Sequence, residues 1–296
     1  MNEPPPDEPP FREMSELAAR IVGPIAELTR IEMPGGIDVR YRKFFHAVQS
    51  ALSVPDDGAH APTMRVLGIV GDVVEGLEGA AHHQQQVAQL ERSILEVCRL
   101  AYAQGPPIGT EAYTTVAVPA QKLTAEYHAF LFDIRKCFEY LSRALVSYFE
   151  RSSGSFRRLP RALNNADPVV VAQALTVRVE AAIVDFEDVL GRGDARAPRD
   201  RVGHTSPEPP GHVNLHFSPS GDISMTLVGG AEDFETRGPQ SEEFQLGPLL
   251  LDRMFRFERL MYELLSEFPL MGKASHAALY GPRGPAVYQG ADSSRL

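Results

Sequence analysis

Tryptophan is absent from this 296-residue chain and cysteine occurs only twice. Aromatic burial therefore falls to 15 Phe and 9 Tyr. The two cysteines, Cys98 and Cys137, form neither a CxxC pair nor any clustered ligand set, which argues against a structural zinc site. Each sits on an apolar helical stripe, so both read as buried, reduced thiols. Long hydrophobic runs are also missing. No segment approaches the roughly 18 uninterrupted apolar residues of a membrane span. A Gly-rich phosphate loop, a nucleophile elbow and a paired-histidine metal motif are likewise not found, so the expected cofactor and metal content is none. The first ten residues are acidic and proline-rich, without the cationic start and apolar run of a secretory signal. The expectation is a cytoplasmic chain with no membrane partner.

Positive charge is scarce as well. Lys and Arg number 29 against 39 Asp and Glu, a formal charge of −10. Proteins that coat nucleic acid are usually basic, so broad, non-specific polyanion binding is disfavoured. A local basic cleft is still compatible with this total. Between Arg135 and Arg161 lie seven cations against Glu139 and Glu150, and four arginines fall between Arg192 and Arg201 against Asp194 and Asp200. The plainer reading of such runs is a solvated helix face.

Apolar spacing predicts a mainly α-helical fold, a helical bundle with a small β-hairpin inserted before the last long helix. Residues 1–10 are expected to be disordered. An N-terminal helical region spans 11–104. In it, one helix runs from Phe11 to about Glu32 and ends at Pro34-Gly35-Gly36. Asp38 is placed to cap a second, which runs to about Leu52. A third follows Pro62 through Val66, Val70, Val73 and Leu77, and a fourth runs from His82 to Tyr102. The His82-His83-Gln84-Gln85-Gln86 run reads as the polar opening of that fourth helix, and adjacent helical histidines do not make a ready chelate. Tyr113 to Val118 reads as a short extended piece.

The strongest helical signal is Leu123 to Phe149, with Tyr127, Leu131, Ile134, Phe138, Leu141, Leu145 and Tyr148 alternating by four and three. That stripe suits the spine of a bundle or a dimer seam. The stretch from Ser152 to Asn165 reads as a polar, basic linker. Asp167 is placed to cap the next helix, with Pro168 at its first position and Val171, Leu175, Val179, Ala182, Phe186 and Leu190 facing inward. Alternating runs at His212–Phe217 and Asp222–Val228, joined by Ser218-Pro219-Ser220-Gly221, predict the hairpin at 212–228. A last helix covers Leu249 to Phe268. Residues 271–296 are Gly/Pro/Ser-rich and are expected to form a flexible tail.

One short segment carries most of the chemistry legible in the sequence: Arg199-Asp200-Arg201-Val202-Gly203-His204, just past Gly191 and Gly193. A permanent cation and a titratable imidazole within six residues are groups that metal-free phosphodiester cleavage needs. A long helix, a linker, a second long helix and then an Arg-polar-x3-His motif resemble the HEPN superfamily of helical domains. The Cys137-Phe138-Glu139-Tyr140-Leu141 phrase on the first of these helices is similar as well. The resemblance covers roughly residues 120–270 and implies a metal-independent endoribonuclease, or a relative that has lost catalysis, acting as a dimer on RNA.

By that resemblance His204 acts as general acid or base and Arg199 holds the scissile phosphate. Asp200 orients the imidazole or pairs with an arginine. Here the motif leads into prolines and the predicted hairpin, whereas the resemblance would have it lead into a helix. The structural alternative has Arg199 and Arg201 binding helix C-terminal carbonyls while His204 caps the turn before the hairpin. In that case the chain is a non-catalytic helical protein–protein interaction module. The carboxylates of Asp185, Glu187 and Asp188 read as a solvated helix face, and His46 and His128 as helix-surface residues. His212 and His216, four residues apart on one strand, would share a face and could line a pocket with His204.

Overall fold

A computed structural model describes residues 31–54, 58–104, 114–191, 212–217, 222–228 and 246–281. The chain divides at Glu32, and the elements below all belong to the unit Met33–Leu296. They are mainly helical, and none of the described helices is long and apolar enough to cross a membrane.

The organising element is a 45-residue helix, α2 (His60–Gln104), spanning roughly 68 Å at 1.5 Å per residue. Spacing alone predicts two helices, the second with a polar opening at His82. The structure has one, and the reason lies in its partners. Gln84 is buried and donates to the Gly247 carbonyl, 3.1 Å away, and His83 meets Glu126 at 2.7 Å. The polar run is thus a mid-helix face satisfied by other elements. Pro62 sits in the first turn, where no intrahelical donor is lost. Within α2, Gly76 and Gly79 let α3 (Gln121–Ser147) approach closely, because a Cβ on either would collide with the Cys137 sulfur or the Asp133 carboxylate.

Helices α2 and α3 form the most extensive pair in the described structure. The α3 stripe is buried as its spacing predicts at Leu131, Ile134, Phe138, Leu141 and Leu145, all at or near zero exposure, while Tyr127 at its start is only half-buried. It is the spine of the bundle, covered by the chain itself. Cys137 is fully buried and Cys98 is buried, both free, and burial pushes both thiols up from their ordinary value. Arg65 of α2 donates to the carbonyls of Ser147 and Tyr148 at 3.0 and 3.4 Å. A cation is favourable at that helix C-terminus.

Upstream of α2, α1 (Ile37–Ala51) follows a 3-10 turn at Pro34–Gly36. Gly36 stands at its N-cap, and no side chain caps it. Asp38 lies inside the first turn and accepts from Arg42 instead. Arg40 of α1 forks onto the buried Glu258 of α7 (Leu246–Leu265).

The stretch read as a polar linker contains a second 3-10 turn (Phe156–Arg158) and α4 (Leu159–Leu163). Phe156, Leu159 and Leu163 are buried, a three-plus-four spacing hidden among serines and arginines. Next come α5 (Val169–Asp185) and α6 (Glu187–Leu190), interrupted at Phe186. Pro168 occupies the N-cap of α5, with extended backbone after a cis Asp167–Pro168 bond. Asp167 therefore stands outside the cap position expected for it. Gly191, at φ 82°, ends α6.

Phe138 joins these pieces. Its ring stands edge-on to Phe156 at 4.8 Å, to Phe186 at 5.0 Å and to Phe257 of α7 at 4.7 Å. After α7 the chain turns into α8 (Gly272–Tyr280), which packs on α1 and buries Ala274, Ser275 and Ala278. The tail reading at 272–280 is corrected by the alanines of Lys273-Ala274-Ser275-His276-Ala277-Ala278, good helix formers with one small face. Residues 282–296 lie outside the described residues.

Extended backbone occurs at β1 (Thr114–Pro119), β2 (His212–Phe217) and β3 (Ile223–Val228), in the order β1–β2–β3 with both pairs antiparallel. His216 stands opposite Thr115 and Ser224.

Candidate functional site

Arg199, Asp200, Arg201 and His204 lie outside the described residues, as does any pocket they would share with His212 and His216. The chain enters residues 192–211 from Gly191, at the end of α6. Glu187 of α6 lines an open groove of about 860 Å³ between α5–α6 and α7.

The groove is bounded by four arginines, Arg178 from α5 and Arg253, Arg256 and Arg259 from α7, over an apolar floor that includes Ala182, Phe186 and Leu260. The guanidiniums of Arg256 and Arg253 lie 5.4 and 6.0 Å from the centre of the Phe186 ring. Carboxylates hold three of these cations: Arg256 pairs with Asp185, Arg259 with Glu263 at 2.8 Å, and Arg178 with Glu267. Asp185 is exposed, as read for that carboxylate, and pairs with Arg256 at the surface. The groove is therefore amphipathic and largely self-neutralised. A phosphate entering it must displace carboxylates before it gains an arginine, which weakens the case for a phosphate track.

The basic stretch from Arg135 to Arg161 is also partly occupied. Arg135 is buried, bonded to Glu139 and to the Leu190 carbonyl. Arg151 donates to the carbonyls of Ala162, Asn164 and Asn165 at 2.7–2.8 Å. Lys136 and Arg143 each lie 5.5 Å from the centre of the Tyr140 ring. Much of that local charge holds the fold together.

Beside the groove, sequence reasoning missed a face. The inner stripe of α5 is buried at Ala172, Leu175, Val179 and Ala182, while Val171 is only half-buried. On the opposite side Val170, Val177 and Val184 are 78%, 68% and 71% exposed. Ala174 and Ala181 stand between them, half-buried and exposed. The order Val170, Ala174, Val177, Ala181, Val184 advances by four, three, four and three, the spacing of a coiled-coil seam. Val169, 50% exposed, adds to the patch, so four of the ten large apolar residues exposed among the described residues lie on this one 17-residue helix. Scattered exposed valines need no explanation, but a contiguous stripe does. The signal was present in the sequence as a seven-residue repeat of valine, masked by the inward stripe that shares the helix.

A second cluster lies between α2 and α3. His83 Nδ1 is 2.7 Å from Glu126 and its Nε2 is 3.7 Å from Asp133. Burial raises the Asp133 carboxyl, and His83, Lys136 and His82 pull it back down. Among the described residues no group of His, Cys, Asp and Glu is arranged to hold a metal ion. No family model, curated protein or solved structure matches the chain.

Proposed function

We propose that this protein is a helical protein–protein interaction module whose docking surface is the outer face of α5. The observation that carries the reading is the exposed Val170–Val177–Val184 stripe on a helix whose other face is already buried. A helix apolar on both sides is suited to a position between two packed surfaces. In the described bundle it has one.

The reading is tested with Val170→Lys/Val177→Lys in the full chain. At low protein concentration the urea midpoint should match the parent, within about 0.5 kcal/mol, because exposed positions off the core tolerate substitution. A loss above about 2 kcal/mol would mean that the chain itself covers this face, and the docking reading would fail.

A second reading keeps the HEPN-like resemblance: a metal-independent endoribonuclease, or an RNA-processing or defence component, acting as a cytoplasmic dimer. In it the hairpin at 212–228 is an insertion in the bundle, and Arg199, Asp200 and His204 form the site. It rests on the Arg199-Asp200-Arg201-Val202-Gly203-His204 motif, a permanent cation and a titratable imidazole within six residues. It predicts cleavage of labelled RNA that survives EDTA and disappears in both Arg199→Ala and His204→Ala. Cleavage that persists in either variant would remove the motif from the mechanism.

A further inference from the structure

We propose that a second copy of this chain covers the outer face of α5, the two α5 helices lying antiparallel about a two-fold axis. The inference rests on the reading of that face as a docking surface and names its occupant.

Shape is the first argument. Along the seam large and small residues alternate strictly: Val170, Ala174, Val177, Ala181. A parallel, in-register pair would set valine on valine and alanine on alanine, crowding one layer and hollowing the next. An antiparallel pair with its axis between Ala174 and Val177 puts Val170 against Ala181 of the second copy and Ala174 against its Val177. Each layer then holds one large and one small side chain, repeated by symmetry over about 17 Å of helix from Val170 to Ala181, with Val184 beyond the last layer. The alanines let the backbones approach closely, so the valines reach across.

Charge points the same way. Gln173 and Glu180 flank one side of the stripe, and Val171, Arg178 and Asp185 the other. In the parallel pair Glu180 meets Asp185 of the second copy, and like charges at flanking positions are unfavourable. In the antiparallel register Gln173 faces Glu180, and Val171 lies along the methylene stem of Arg178. No like-charged pair is created. The carboxamide of Gln173 can donate to Glu180, and the Arg178 head remains with Glu267.

The seam is short compared with the roughly 800 Å² per partner of a stable interface, so its dissociation constant should be on the order of 10 µM. Association is then set by concentration.

The test is disulfide capture between two single variants of the full chain, Ala174→Cys and Val177→Cys; the native Cys98 and Cys137 are buried. Mixed at equal concentration and oxidised, they should form cross-linked heterodimer about tenfold more efficiently than either variant forms homodimer, because only the 174–177 pair comes within disulfide reach. Equal or better cross-linking of Val177→Cys alone would show a parallel pair and overturn the register. Absence of any cross-link, with sedimentation showing only monomer at 100 µM-scale loading (about ten times the expected constant), would overturn the second copy. The lysine variant separates the two levels. If it is as stable as the parent while the chain stays monomeric, the surface stands and its occupant is another protein; if it is destabilised when dilute, the docking reading itself has failed.

Discussion

Phe138→Ala should lower the stability of the folded chain by about 4 kcal/mol, the largest effect of any single truncation considered for this protein. The ring is fully buried and meets Phe156, Phe186 and Phe257 edge-on, each within about 5 Å. Removing it deletes a transfer contribution and leaves a cavity bounded by three rings on three other elements, which cannot all move inward together. Each edge-to-face contact adds about 0.5–1.5 kcal/mol beyond area burial. Phe138→Leu fills most of the space and should cost about half as much. Urea unfolding checks both, with the midpoint falling and the slope unchanged. Against the 5–15 kcal/mol typical of a domain, that loss is a large share of the total. A loss under about 1.5 kcal/mol would show that the four elements do not depend on this ring.

The second large effect is expected at Glu91. Its carboxylate reaches from α2 to the start of α7, accepting from the backbone N–H of Leu246 at 2.5 Å and of Gly247 at 2.6 Å. The first N–H groups of a helix lack intrahelical partners, and here they are buried. A carboxylate from another helix therefore does the work of an N-cap. Close approach makes this possible: a Cβ on Gly247 would fall 2.8 Å from a Glu91 oxygen and 2.9 Å from the Ala88 Cβ. Burial pushes the Glu91 carboxyl up from its ordinary value, further than the two N–H donors pull it back down, and both donors are satisfied by its carboxylate oxygens. Glu91→Ala strands both donors and should cost about 3 kcal/mol. Glu91→Gln keeps one acceptor but turns an NH2 toward the other donor, so it should recover less than half of that. Equal stability of Glu91→Ala and the parent would show that water replaces the carboxylate without cost.

These two sites differ in how readable they were. Phe138 stands on a stripe whose spacing alone marks it as core, since one face of α3 is apolar and the other is not. Glu91 looks like any solvated carboxylate on a helix, because its partner lies 155 residues downstream and nothing local announces it. The same blindness divided α2 at His82: Gln84 and His83 are polar in sequence yet satisfied by Gly247 and Glu126. The buried Phe156, Leu159 and Leu163 were obscured by the arginines and serines around them. On α5 the difficulty was the reverse. Two apolar stripes share one helix, and inward-facing Leu175 and Val179 drew attention from Val170, Val177 and Val184. Arg199, Asp200 and His204 are a reading of the sequence alone and lie outside the described residues.

The most direct test of the central claim, that the outer face of α5 docks a second copy, is the concentration dependence of unfolding. Association that exists only in the folded state raises the urea midpoint with protein concentration. The account predicts a midpoint that rises between dilute and concentrated parent chain, and a Val170→Lys/Val177→Lys variant that matches the dilute parent at every concentration. A parent midpoint that does not change with concentration, or a variant already weakened when dilute, would contradict it.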